Sequence, residues 1–234
     1  MITSYSCYLR EGCKKYNKDN FECDKEDVFC IKLFKVDKLY QNSLLSEKQR
    51  IKIPLYPDAN GTDLETFKLL KSIEEHIIPF VNNGKNLFIH STITGNGKTS
   101  WSIRMIQQYI LSTWVEKDVE SCPAMFVNVP RFLLSLKDSI TNQSDYIDHI
   151  KKNILNSDLV VWDEVGVRTL SDYDHEHLLN IINTRLDEGK SNIYTSNLPA
   201  EELREKVGNR LYSRIVNVST NIELFGADKR TLYK

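Results

Sequence analysis

No run of about 18 apolar residues occurs anywhere in the 234-residue chain, and that length is what a membrane-spanning helix needs. The first residues also lack a basic stretch followed by an apolar one, so no secretory signal is predicted and the expected location is the cytoplasm. Charge of one sign is missing too. With 31 Lys and Arg against 32 Asp and Glu, the net charge is −1, and overall balance gives no argument for a nucleic-acid partner. Residues 1–56 carry 11 basic against 8 acidic residues, a surplus that an ordinary mixed, solvated face also produces. There is no internal repeat and no low-complexity tract. What remains is one large domain, or a core domain with a small appendage.

Cysteine is scarce except at the start. Four of the five, Cys7, Cys13, Cys23 and Cys30, fall within the first 30 residues, and Cys122 stands alone. Four thiolates suit a tetrahedral structural Zn²⁺, which can fold a segment too short for its own core. A disulfide pair is not expected in the cytosol. The spacing is looser than paired C-x2-C knuckles, so reduced packing cysteines are the competing reading. Turn chemistry at Pro57, Asp58, Asn60 and Gly61 then suggests a linker. The expected division is a zinc-binding, partner-binding module at 1–56 and a nucleotide-binding core at 57–234. Within the core, Asp63 is the expected cap of a helix that carries Leu64, Phe67, Leu70, Ile73, Ile77 and Val81 on one face.

The chain is organised around residues 86–100. An apolar run, Leu87-Phe88-Ile89, stops at a glycine-containing turn, and Lys98-Thr99 opens a segment with Ile103, Ile106, Ile110 and Leu111 at helical spacing. Strand, loop and helix are the context in which G-x-x-x-x-G-K-[ST] cradles phosphates. Here Thr94, Gly95, Asn96, Gly97, Lys98, Thr99 and Ser100 form the expected nucleotide loop. Its backbone N–H groups would face phosphate oxygens, Lys98 would reach the β- and γ-phosphates, and the Thr99 hydroxyl would ligate Mg²⁺. Thr92 stands where the first glycine belongs. That reads as an altered loop, provided the position has negative φ. The bland alternative is a surface turn that happens to contain G-x-G-K-T.

Downstream, Leu159-Val-Val-Trp162 is a continuous apolar run ending in Asp163-Glu164. Such a run fits a strand covered on both faces of a parallel sheet, with its acids at the ligand-binding end. Asp163 would hold Mg²⁺ through water, and Glu164 would polarise the attacking water. Further strands are expected at 124–129, 192–195 and 221–225, and a helix at 172–188 capped by Ser171. Arg210 and Arg214 are four apart on an expected helix; taken alone, both could simply be solvated.

The pieces Gly-Asn-Gly-Lys-Thr, Val-Val-Trp-Asp-Glu, Tyr-Thr-Ser-Asn-Leu and Asn-Arg-Leu-Tyr-Ser-Arg-Ile together resemble the AAA+ ATPases of the bacterial helicase-loader family, the DnaC and DnaI type, over residues 62–232. The resemblance implies an α/β P-loop core with a five-stranded parallel sheet ordered 5-1-4-3-2. It also implies a sensor at Asn197 and an arginine finger at Arg214, with Arg210 as the other choice. With nine residues after Phe225, no C-terminal lid is expected. The implied function is ATP-dependent loading of a hexameric replicative helicase onto single-stranded DNA, with self-association through the nucleotide sites, in a bacterial or phage-infected cell. An ATPase that assists a DNA transposase has nearly the same core, and a non-hydrolysing, nucleotide-gated adaptor is a third reading.

Overall fold

A computed structural model describes residues 28–52, 54–58, 60–141 and 145–229. Two N-terminal helices, α1 (Val28–Asn42) and α2 (Glu47–Arg50), precede α3 (Leu64–Glu75) and α4 (Ile77–Asn82). The alternating part follows: β1 (Asn86–His90), α5 (Lys98–Thr113), β2 (Ala124–Asn128), α6 (Val129–Thr141), α7 (Asp145–Asn156), β3 (Leu159–Asp163), α8 (Asp172–Asp187) and β4 (Ser191–Ser196). Then come α9 (Ala200–Val207), α10 (Asn209–Tyr212), a π turn at Ser213–Asn217 and β5 (Thr220–Glu223). All strand pairs are parallel, in the order β2-β3-β4-β1-β5. That is the expected order read from the opposite edge.

The sheet separates two cores because successive strand side chains point to opposite faces. Leu87, Ile89, Phe126, Val161 and Ile193 pack with Trp101, Met105, Ile106 and Ile110 of α5 on one face. Phe88, Met125, Val160, Trp162 and Tyr194 pack with α6, α7, α8 and α9 on the other. Covering on both faces explains why β1 and β3 read as unbroken apolar runs. Among the described residues, no helix is long and apolar enough to cross a membrane.

Three expectations change. The helix expected from Leu64 to Val81 is broken at His76, because Pro79 has no N–H for the carbonyl four residues back and its ring crowds that position. Asp63 occupies the cap position of α3 but makes no side-chain cap hydrogen bond; its carboxylate instead meets Lys229 Nζ and accepts the Asp58 N–H, each at 2.6 Å. The division at residue 56 runs through a packed core. Val36, Leu39, Tyr40 and Leu45 are buried with Trp101 and Met105, and full burial of one leucine contributes roughly 1.5–3 kcal/mol. These residues of α1 and of the turn after it therefore pack on the core. Of the expected zinc ligands, Cys7, Cys13 and Cys23 lie outside the described residues, and Cys30 is half-buried in α1. Among the described residues, no cluster of His, Cys, Asp or Glu could hold a metal with three side chains.

One buried cation fixes the opposite ends of the strands that carry the site. Arg185 of α8 is fully buried and donates to Ile154 O, Ser157 O, Ser191 O and Asn192 Oδ1 at 2.6–2.8 Å. Burial pushes its pKa down to about 10, so it stays charged at neutral pH. It ties the end of α7, the approach to β3 and the start of β4 together. That sets the relative positions of the strands that carry Asp163 and Thr195.

Candidate functional site

The chain leaves β1 at His90 and turns through residues 91–97 before α5 begins at Lys98. Gly97 is the residue before the helix, at φ +110, and Gly95 sits at φ +75. Side-chain-bearing residues rarely adopt either conformation, so the turn depends on glycine at both places. Thr92 is not among the positive-φ residues and its side chain is exposed, so threonine there carries no backbone strain. Lys98 is buried. Its ammonium donates to Ile93 O at 2.7 Å and to Ser91 O and Asn96 Oδ1 at 3.2 Å. Asn96 Nδ2 in turn donates to Ser91 Oγ and to Leu224 O, which fastens the loop to β1 and to the end of β5.

Facing the loop is a continuous set of hydrogen bonds that joins α5, β3, β4 and the end of β2. Thr99 Oγ1 donates to Asp163 Oδ1 at 2.9 Å, and Thr195 Oγ1 donates to the same oxygen at 2.7 Å. Burial raises the Asp163 pKa, while the bonds from Thr195 and Thr99 oppose that shift. Thr195 Oγ1 also accepts the backbone N–H of Glu164 at 3.1 Å. Glu164 has φ +63, an uncommon conformation for a residue with a side chain. Its Oε2 accepts from Asn128 Nδ2 at the end of β2, at 2.9 Å.

These groups converge on a cavity of about 170 Å³ lined by residues 94–100, Glu164, Thr195, Ser196 and Asn197. The whole expected loop set is present on it, with Asp163 behind and joined through Thr99. A larger cavity of about 590 Å³ between β2, α6 and α7 is lined by Asp163 but has neither lysine nor glycine in its lining, so size does not identify the site. The chemistry favours the smaller one. Asn197 is half-buried one residue beyond β4. Arg210 and Arg214 are exposed and line neither cavity. Sequence reasoning passed over Asn128 and Thr195. A polar residue at the end of an otherwise apolar strand is the signal both carried.

The donor set fits Mg²⁺. A hydroxyl and a carboxylate one hydrogen bond apart are hard oxygen ligands, and Mg²⁺ typically takes one or two from protein while keeping several waters. Thr195 is the least replaceable support of that set. Thr195→Val keeps the shape but leaves the Glu164 N–H unpaired and removes one of two donors to Asp163. Equilibrium denaturation should show a loss of about 1–3 kcal/mol, and any nucleotide-dependent activity should fall with it. An unchanged denaturation midpoint would mean that the bridge contributes nothing.

The profile of the family described as IstB-like ATP binding protein matches residues 39–220, which hold the loop, the acid pair, the end of β4 and both arginines. The replicative helicase loader DnaC of Escherichia coli K12 is 23% identical over 128 residues, 55% of this chain and 49% of that protein. The chain thus spans about half the length of the curated relatives it matches. Among solved structures, the DnaC helicase loader superposes with a TM-score of 0.60 at 21% identity, covering 77% of this chain and 100% of that one. DnaI gives 0.59 at 18%, covering 77% and 95%. Domain III of the Thermotoga maritima replication initiation protein DnaA gives 0.53 at 18%, covering 80% and 71%. At these identities the superpositions show a shared fold, whereas the profile spans most of the sequence: the chain belongs to the IstB-like ATP-binding protein family.

Proposed function

We propose that this chain is an ATPase that loads a hexameric replicative helicase onto single-stranded DNA. The observation that carries the ATPase half is the Thr99, Asp163 and Thr195 hydrogen-bond chain, beside which Glu164 and Lys98 line one small polar cavity. The triphosphate of ATP would replace Ser91 O, Ile93 O and Asn96 Oδ1 as the acceptor for Lys98. The N–H groups of the loop and the start of α5 would hold the phosphate oxygens. Mg²⁺, held by Thr99 and Asp163, would neutralise phosphate charge. Glu164, steadied by Asn128, would orient and polarise the attacking water, and Asn197 would hydrogen-bond that water or the γ-phosphate. Arg214, or Arg210, would enter the site of a neighbouring copy as its arginine finger.

The loader half is supported by similarity to DnaC and DnaI. Single-stranded DNA and self-association are proposed with it. The helicase contact is proposed for the N-terminal residues that carry Cys7, Cys13 and Cys23, with zinc as their ligand together with Cys30. Tagged full-length chain recovered from host cells should carry a replicative helicase. Recovery of a transposase without helicase would move the reading to a transposase-assisting ATPase. Binding of ATP without hydrolysis, with DNA present, would leave a nucleotide-gated adaptor.

A further inference from the structure

One edge of the sheet is only half covered. β2 is an outermost strand. The Leu159 N–H donates to Pro123 O at 3.3 Å, so the backbone groups of residues 123, 125 and 127 point to β3 and those of 124, 126 and 128 point outward. The Phe126 N–H meets Ser43 O at 2.9 Å, the bond that a further parallel strand would make there. The chain then leaves the edge. Leu44 takes φ +60, uncommon for a residue with a side chain, and the Leu45 N–H turns back to Tyr40 O. Farther along, Phe126 O and the Asn128 N–H meet no partner among the described residues. Such unpaired edge groups are a template for another backbone.

The open half of the edge lies on the cavity of about 590 Å³, which Phe126, Val127 and Asn128 line together with Leu44, α6 and α7. That volume is within the range of pockets that enclose a ligand. Where α6 and α7 meet, the lining is apolar and buried, at Phe132, Ile147 and Ile150. Its two charged side chains differ. Asp163 is buried and already accepts from Thr99 and Thr195, whereas Arg131 is exposed and is the charge that the cavity offers to a ligand.

We propose that this groove takes an extended segment of a partner protein, which adds to β2 as a sixth parallel strand. One residue of the segment, opposite Val127, gives its N–H to Phe126 O and accepts the Asn128 N–H, continuing the contact that Ser43 begins. An apolar side chain of the segment fills the space before Phe132, Ile147 and Ile150, and a carboxylate pairs with Arg131. Nucleic acid fits the site less well. One arginine near a buried carboxylate does little to neutralise a phosphate backbone, whereas a donor and an acceptor in strand register suit a peptide.

Short random peptides, displayed and selected on the full chain, supply the probe. Enriched sequences should alternate apolar and polar residues and carry Asp or Glu. Measured by fluorescence anisotropy on the tightest of them, Arg131→Glu should weaken binding about tenfold, and Ser135→Trp, which fills the cavity from α6, should abolish it. Arg131 is exposed, so its variant keeps the test open if Ser135→Trp folds poorly. N-methylation of the peptide, one amide at a time, should block binding at the amide that meets Phe126 O and be tolerated at the amides on either side of it, because alternate N–H groups of an added strand point away from β2. No enriched sequence, binding indifferent to both variants, or an N-methyl scan without that alternation overturns the strand site. Peptides matching this chain's own sequence would replace the partner by a second copy, and displacement of the peptide by oligothymidine from the parent but not from Arg131→Glu would give the groove to single-stranded DNA; either result overturns the proposal.

Discussion

Lys98→Ala should remove ATP binding, whereas Glu164→Gln should bind ATP like the parent and turn over about 10²–10³-fold more slowly. The asymmetry follows from where the two side chains stand. Lys98 is the cation lining the small polar cavity, where three oxygens of its own loop hold its ammonium. Truncation removes the charge that a triphosphate needs and leaves those three acceptors without their shared donor. Glutamine at 164 keeps the volume, can still accept from Asn128 through its amide oxygen, and demands the same φ. Only the ability to polarise water is lost. Equilibrium ATP titration and steady-state phosphate release read the two effects separately. Parent-like binding by Lys98→Ala would end the P-loop assignment, and parent-like turnover by Glu164→Gln would move the catalytic role to another group.

The parts of this site that could be read from sequence are those whose physics is local. A strand covered on both faces must be apolar along its whole length, so Leu87-Phe88-Ile89 and Leu159-Val-Val-Trp162 stood out, and the glycines at 95 and 97 mark a turn that only they can make. The supports were not legible because they join residues far apart in the chain. Thr195 meets Asp163 across 32 positions, and Asn128 meets Glu164 across 36. No spacing rule links such pairs; the parallel sheet brings them together. Asp63 shows the opposite failure. Its local setting, just before a helix, suggests a cap, but Lys229 from 166 positions away claims the carboxylate. The same holds for α1, whose apolar side could have served a separate module until its packing on α5 placed it in the core.

Arg214→Ala should bind ATP normally and hydrolyse it about 10³-fold more slowly, the lower end of what an arginine finger contributes. The side chain is exposed and away from its own chain's phosphate cavity, so any part it plays in hydrolysis has to be at a neighbour's site. Its backbone is firmly held. Arg214 lies in the π turn after α10, next to Ile215 and Val216, which are buried against α8. π turns are rare and recur at functional sites, where the extra residue re-aims the side chains around it. Arg210 is equally exposed, on α10, which makes Arg210→Ala the necessary parallel variant. Mixing decides between a finger and a local role. In a head-to-tail assembly each site combines one copy's loop with the next copy's arginine. A Lys98→Ala copy supplies an intact Arg214 to a neighbour whose loop still binds ATP. Arg214→Ala and Lys98→Ala, each inactive alone, should therefore recover part of the parent turnover when combined, and recovery should rise with protein concentration. A mixture no more active than its components, at concentrations where the parent associates, would place the finger elsewhere; rescue with Arg210→Ala in place of Arg214→Ala would identify it.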